Sequence, residues 1–64
     1  MTEFRETLEV EGWIWMPVGP RGYMIDAENQ ATRERVRILV GNEAYAREET
    51  LLLRALGFVG KCMA

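Results

Sequence analysis

A chain of 64 residues with one cysteine, no histidine and no serine holds few of the groups on which small enzymes and metal sites depend. The single cysteine excludes an internal disulfide. Without histidine or a second cysteine the usual zinc sites are excluded as well, so the composition predicts neither metal nor cofactor. Ten acidic and eight basic residues give a net charge of −2. This balance argues against a general nucleic-acid-binding protein, which is usually basic.

The same absences predict a protein that is not an enzyme. Histidine is the commonest general base near neutral pH, and a serine nucleophile is excluded outright. Cys62 has no base near it in the sequence, which favours an idle thiol over a reactive one. The N-terminal segment has no signal-peptide core, and no apolar run approaches the ~18 residues of a membrane span. We therefore predict a single cytoplasmic domain over residues 1–64, either a monomer or a weak dimer.

Residues 7–16 predict the first strand and contain the most informative pattern in the chain. Side chains alternate between the two faces of a strand. Here the even positions are apolar, whereas the odd positions combine glutamates with Trp13 and Trp15. Two interpretations stay open. Either the indoles lie on an exposed face and bind a partner, or a bulge at Gly12 changes the register and turns one or both of them inward.

Two further strands follow the turn-forming residues that begin at Pro17, which is expected to end the first strand. Residues 23–27 predict the second strand and residues 33–40 the third, which has arginines on one face and aliphatic side chains on the other. Short connections between the strands favour an antiparallel meander.

Residues 43–56 predict a helix that has Asn42 as its N-cap and stops at Gly57. At about 100° per residue, the largest apolar side chains fall on one side, and we expect that side to face the sheet. Its residues are Tyr45, Leu52 and Leu56.

These elements predict an α+β fold in which a three-stranded antiparallel sheet packs on one C-terminal helix, in the order β-β-β-α. For the tail two alternatives remain, a frayed end or a short edge strand through Phe58 and Val59. The sheet residues expected beneath the helix are Leu8, Val10, Ile14, Ile25, Val36, Ile38 and Val40.

The open face of this predicted sheet is the candidate binding site. There the glutamates and indoles of the first strand share a surface with Arg33, Arg35 and Arg37. Tryptophan and arginine are enriched in interface hot spots. Glu–Arg pairs and arginine stacked on tryptophan also stabilise ordinary sheets, by ~0.2–1 kcal/mol each. The predicted partner-binding residues are Glu6, Glu9, Glu11, Trp13, Trp15, Arg35 and Arg37.

A three-stranded sheet backed by a C-terminal helix, with Trp13, Trp15 and three arginines on its open face, resembles AP2-type and integrase-arm DNA-binding domains. The resemblance extends over residues 7–57 and rests on the order of the elements and on these side chains. It implies a module whose sheet enters the major groove and whose arginines contact guanine edges. Glu9 and Glu11 on the same face, together with the acidic total, count against DNA as the partner.

In size, low pI and lack of catalytic groups, the chain is similar to the short acidic proteins of bacteriophages and mobile elements, in particular anti-CRISPR inhibitors. The similarity includes a cluster of glutamates, Glu3, Glu6, Glu9 and Glu11. It implies a stoichiometric inhibitor that covers the nucleic-acid-binding surface of a protein or ribonucleoprotein complex. A row of carboxylates can compete for a cationic groove through fast, salt-sensitive association. We predict this function, with the DNA-binding module as the alternative. In the simplest interpretation the glutamates only keep the domain soluble.

Overall fold

Five strands and one helix follow one another in residues 5–61, the part of the chain that the computed structural model describes. Their bounds are β1 Leu8–Val10, β2 Trp13–Val18, β3 Gly22–Asn29, β4 Arg35–Val40, α1 Glu43–Ala55 and β5 Phe58–Lys61. The predicted α+β class, the antiparallel sheet and the single helix are confirmed. The structure has five strands where three were predicted, because the first predicted strand is two strands and the tail forms the strand that was left open as an alternative.

The first predicted strand is a tight hairpin. Glu11 and Gly12 connect β1 to β2 and have φ angles of 51° and 85°. Positive φ at both positions is typical of the two-residue turn that best matches the twist of a hairpin, and glycine adopts it without strain. The register pairs Val10 with Trp13, and residues directly opposite each other lie on the same face of a sheet. The turn therefore places the indoles on the face of the apolar β1 side chains.

The strands form an antiparallel path in the order β1-β2-β3-β4, and β5 pairs with β3. The last residues of β2 pair with the start of β3, and β5 pairs with its end. Pro17 does not end β2, which continues to Val18. Because β1 pairs with β2 only as far as Trp15, Pro17 has a strand neighbour on one side only, where proline is tolerated.

One face of the sheet and one side of the helix enclose a small core. Its buried apolar residues are Val10, Trp13, Trp15, Ile25, Ala27, Ala46 and Leu53. Of the sheet residues predicted beneath the helix, Val10 and Ile25 are buried, and Leu8, Val36, Ile38 and Val40 pack partly buried around the core. Ile14 lies on the opposite face, across from Glu9.

Both predicted ends of the helix are confirmed. The side chain of Asn42 accepts a hydrogen bond from the backbone N–H of Tyr45 at 3.0 Å, and Leu56 is the C-cap. Gly57 follows with a φ of 94°, a conformation that suits glycine after the end of a helix. Of the two alternatives for the tail, the strand occurs and reaches Lys61, whereas Cys62 lies outside the described residues. At thirteen residues, α1 falls short of the length and apolarity of a membrane-crossing helix.

The predicted inner side of the helix is wrong. Tyr45, Leu52 and Leu56 are exposed, and the side that faces the core carries Ala46, Thr50 and Leu53. The indole of Trp15 is the physical reason. It fills the space beneath the helix, so that small side chains must face it, and its N–H needs an acceptor that leucine cannot supply.

Candidate functional site

The two indoles belong to the core. Trp15 is 0% exposed, and its Nε1 donates a hydrogen bond of 2.8 Å to Oγ1 of Thr50. The Thr50 hydroxyl in turn donates to the carbonyl of Ala46 at 2.8 Å. Trp13 packs so closely on Gly60 that a Cβ there would lie 2.7 Å from the ring. The predicted exposed indole face is therefore wrong. The inward alternative is correct, although a hairpin turn at Gly12 produces it and not a bulge.

The opposite face of the sheet, named here the outer sheet face, carries rows of matched side chains across neighbouring strands. In the first row Met16, Met24 and Leu39 lie side by side on β2, β3 and β4. In the second, Asp26 of β3 lies opposite Arg37 of β4. The third row pairs Glu28 with Arg35, and Arg33 reaches the same carboxylate from the preceding turn.

Ion pairs within the sheet hold these arginines. Arg37 donates to both carboxylate oxygens of Asp26, at 2.8 and 3.3 Å. This hydrogen bonding lowers the pKa of Asp26 below its ordinary value, with the positive charge acting in the same direction and partial desolvation opposing both. Glu28 is buried, and its two oxygens lie 3.2 Å from Arg33 and 3.4 Å from Arg35. The predicted arginines are thus brought together with acids of β3 and not with those of β1.

The predicted glutamates within the described residues do not form one row, and Glu3 lies outside those residues. Glu9 is exposed on β1, and two strands separate it from β4 in the strand order. Glu6 is exposed in the segment before β1 and lines an open groove beside Met16 and Pro17. Glu11 lies in the hairpin turn and forms an exposed ion pair of 3.1 Å with Arg54 of the helix.

A surface that the sequence analysis missed lies on the helix. Its large apolar side chains are 55% to 67% exposed. This surface, named here the outer helix face, consists of Tyr45, Leu51, Leu52 and Leu56. The sequence did contain a signal for an exposed apolar face, because the apolar residues of this helix occupy more positions around its axis than one buried side accommodates. The buried side takes Ala46, Thr50 and one leucine, Leu53, and the other large apolar residues are left outside.

The charge that remains on the helix is negative and lies at this same face. Glu43 pairs with Arg47 at 2.9 Å, and Arg54 is held by Glu11. Within residues 5–61, Glu48 and Glu49 have no ion-pair partner. At about 100° per residue, Glu48 falls between Leu51 and Leu52, at the centre of the exposed sector.

Comparison with known proteins adds no relative, since no family model, no curated protein and no solved structure matches this chain significantly. Residues 5–61 also contain no cluster of three or more acidic, cysteine or histidine side chains that could hold a metal ion. The two exposed faces are therefore the features from which a function is inferred.

Proposed function

We propose that this protein is a non-enzymatic binding protein that acts stoichiometrically on a protein or ribonucleoprotein partner, and that the outer helix face makes the contact. The observation that supports this most strongly is the exposure of four large apolar side chains, three on a thirteen-residue helix and the fourth at its C-cap. Single exposed apolar residues are ordinary, but a contiguous apolar patch is typical of an interaction site.

The energetics favour a protein contact over a phosphate contact for this face. Burying apolar surface stabilises a complex by about 25 cal/mol per Å², and full burial of a leucine side chain contributes about 1.5–3 kcal/mol. Phosphate groups offer tyrosine and leucine no such gain. The apolar side chains would therefore supply affinity when a protein surface covers them.

The mode of action that we propose follows from the resemblance to anti-CRISPR inhibitors: the protein covers a nucleic-acid-binding surface of its partner. Exposed carboxylates favour such a target, because a groove that binds nucleic acid is cationic. Of the exposed carboxylates, Glu48 lies on the outer helix face and has no ion-pair partner in the described part of the chain. The net charge of the whole chain, −2, is negative as well and favours association with a cationic surface.

Photo-cross-linking in the cells that naturally make the protein tests the contact surface. A photoreactive residue is placed at Leu52 on the outer helix face or, as a matched control, at Leu39 on the outer sheet face, since both leucines are exposed. We expect a discrete protein adduct from position 52 and none from position 39. The partner, once purified, should lose nucleic-acid binding in proportion to added protein, with saturation at equal molar amounts.

Two results would contradict the proposal. Adducts from position 39 alone would move the contact to the sheet. Chemical modification of the purified partner by this protein, or inhibition of the partner at far below equal molar amounts, would replace stoichiometric binding by catalysis.

DNA binding by the outer sheet face is the second candidate, and the exposure of Arg33 and Arg35 favours it. Both side chains reach beyond the sheet and could meet phosphate or guanine. Burial of the indoles removes the aromatic part of the predicted DNA-reading face. Fluorescence anisotropy of labelled duplex DNA at low salt measures whether the protein binds DNA. If DNA is the ligand, Arg35→Ala with Arg37→Ala should abolish binding, whereas Glu48→Gln should leave it unchanged.

A further inference from the structure

The outer helix face combines two kinds of side chain that rarely lie together on an unpartnered surface. Leu51, Leu52 and their neighbours are apolar, while Glu48 lies among them and half-buried Glu49 borders them. The other charges of α1 are neutralised by ion pairs of 2.9 and 3.1 Å. The residual charge of the helix is therefore concentrated on the apolar face.

We infer that the partner surface is an apolar groove or helix face that carries lysine or arginine side chains opposite Glu48 and Glu49. This inference rests on the proposed function, because it names the chemistry of the partner that the outer helix face binds. A carboxylate at the centre of an apolar contact loses its hydration when the contact forms. A cation in the partner compensates this loss, and an apolar or acidic surface does not.

A second copy of this chain fits the outer helix face less well than a cationic partner does. Glu48 and Glu49 lie at the middle of a helix that spans residues 43–55. In a two-fold symmetric pair of antiparallel helices, residues near the midpoint face their own counterparts. Four carboxylates would then meet around the axis, and like charges at such distances are destabilising. The charge pattern therefore favours a cationic partner over self-association.

Two synthetic amphipathic peptides test the inference. They share the same leucine stripe, and their remaining positions are lysine in one peptide and glutamate in the other. Each is titrated into the isotope-labelled full chain at low salt, and amide shifts report the site. We expect the lysine peptide to shift Tyr45, Glu48 and Leu52 and their neighbours, with affinity that falls as salt is added, and the glutamate peptide to bind far more weakly.

Paired charge variants separate this site from general attraction between an acidic protein and a basic peptide. Glu48→Gln with Glu49→Gln should weaken binding of the lysine peptide about three- to tenfold, because two charge contacts are lost. The control, Glu6→Gln with Glu9→Gln, removes the same charge elsewhere and should leave the affinity unchanged. An equal loss in both double variants would overturn the inference.

The remaining outcomes distinguish the two proposals. Equal binding of both peptides at the outer helix face would overturn the cationic partner and leave the proposed function standing. Shifts confined to the outer sheet face would overturn both. A mass that rises with protein concentration, accompanied by shifts of Tyr45 and Leu52 without peptide, would assign the face to a second copy and also overturn the inference.

Discussion

At the scale of single residues, one hydrogen bond determines which side of the helix faces inward. A buried indole N–H without an acceptor is costly, and Thr50 is the residue that accepts it. The threonine hydroxyl in turn donates a hydrogen bond to the Ala46 carbonyl, so both the indole N–H and the hydroxyl have a partner. Such a fully satisfied pair fixes the rotation of the helix more sharply than apolar contacts alone.

Replacing this threonine by an isosteric apolar residue tests the role of the hydrogen bond. Thr50→Val leaves Trp15 Nε1 buried without an acceptor, and we expect the free energy of unfolding to fall by about 1–3 kcal/mol. Urea denaturation followed by tryptophan fluorescence measures the change. Thr7→Val is the control, since Thr7 is exposed, and a change within about 0.5 kcal/mol is expected there. Equal effects at both positions would contradict the assigned role.

The ion pair between Asp26 and Arg37 gives the stability a dependence on acidic pH. Because hydrogen bonding from Arg37 lowers the pKa of Asp26 in the folded protein, its contribution is complete above the unfolded-state pKa of about 3.9 and is lost as pH falls through the lower folded value. The difference in melting temperature between wild type and Asp26→Asn should therefore shrink as the pH falls from 5 towards 2.

Arg37→Ala provides the control for this pH dependence. In that background the guanidinium is gone, and the difference caused by Asp26→Asn should no longer vary across the same range. A difference that varies equally with and without Arg37 would assign the pH dependence to other carboxylates.

At the scale of elements, the hairpin turn determines that the two indoles lie on the inner face of the sheet. Gly12→Ala places a side chain at a φ of 85°, where nothing lies within 4 Å of the new Cβ, so only backbone strain opposes it. We expect a loss of about 1 kcal/mol in the free energy of unfolding. Gly41→Ala is the matched control, because its site is equally open and its φ is not positive. Thermal unfolding measures the stability of both variants, and equal stability would exclude a strained turn at Gly12.

The neighbouring leucines of α1 should respond very differently to truncation. Leu53 is buried and Leu52 is more than half exposed. Leu53→Ala should lower the free energy of unfolding by about 2–4 kcal/mol, whereas Leu52→Ala should change it by less than about 1 kcal/mol. Chemical denaturation measures both, and a reversed order would restore the helix rotation that periodicity predicts.

The elements also mark how far sequence reasoning extends. The ends of the helix follow from Asn42 and Gly57, because capping is local chemistry that a few residues determine. The hairpin was missed because Glu11 is an unusual residue at positive φ, so the segment resembles one continuous alternating strand. The rotation of α1 depends on Trp15, thirty-five residues away, and no periodicity within the helix contains that contact.

At the scale of the whole molecule, the small core leaves several large apolar side chains uncovered. A chain of this length buries only ~60% of the surface that its unfolded form exposes. Two tryptophans fill the interior, and of the three leucines of α1 only Leu53 joins them. For this reason the structure brings together only some of the residues of the candidate site that the sequence predicts. The arginines do share the outer sheet face, but the indoles do not, and the exposed leucines were assigned to the core.

One measurement tests the central claim, which is that α1 turns Leu51, Leu52 and Leu56 outward and Leu53 inward. A soluble paramagnetic agent is added to methyl-labelled protein, and the relaxation of each leucine methyl group is recorded at low protein concentration. We predict strong enhancement for the three outward leucines and protection of Leu53 and of the Trp15 indole proton. Protection of Leu52 and Leu56 together with strong enhancement at Leu53 would contradict the helix orientation and the binding surface inferred from it.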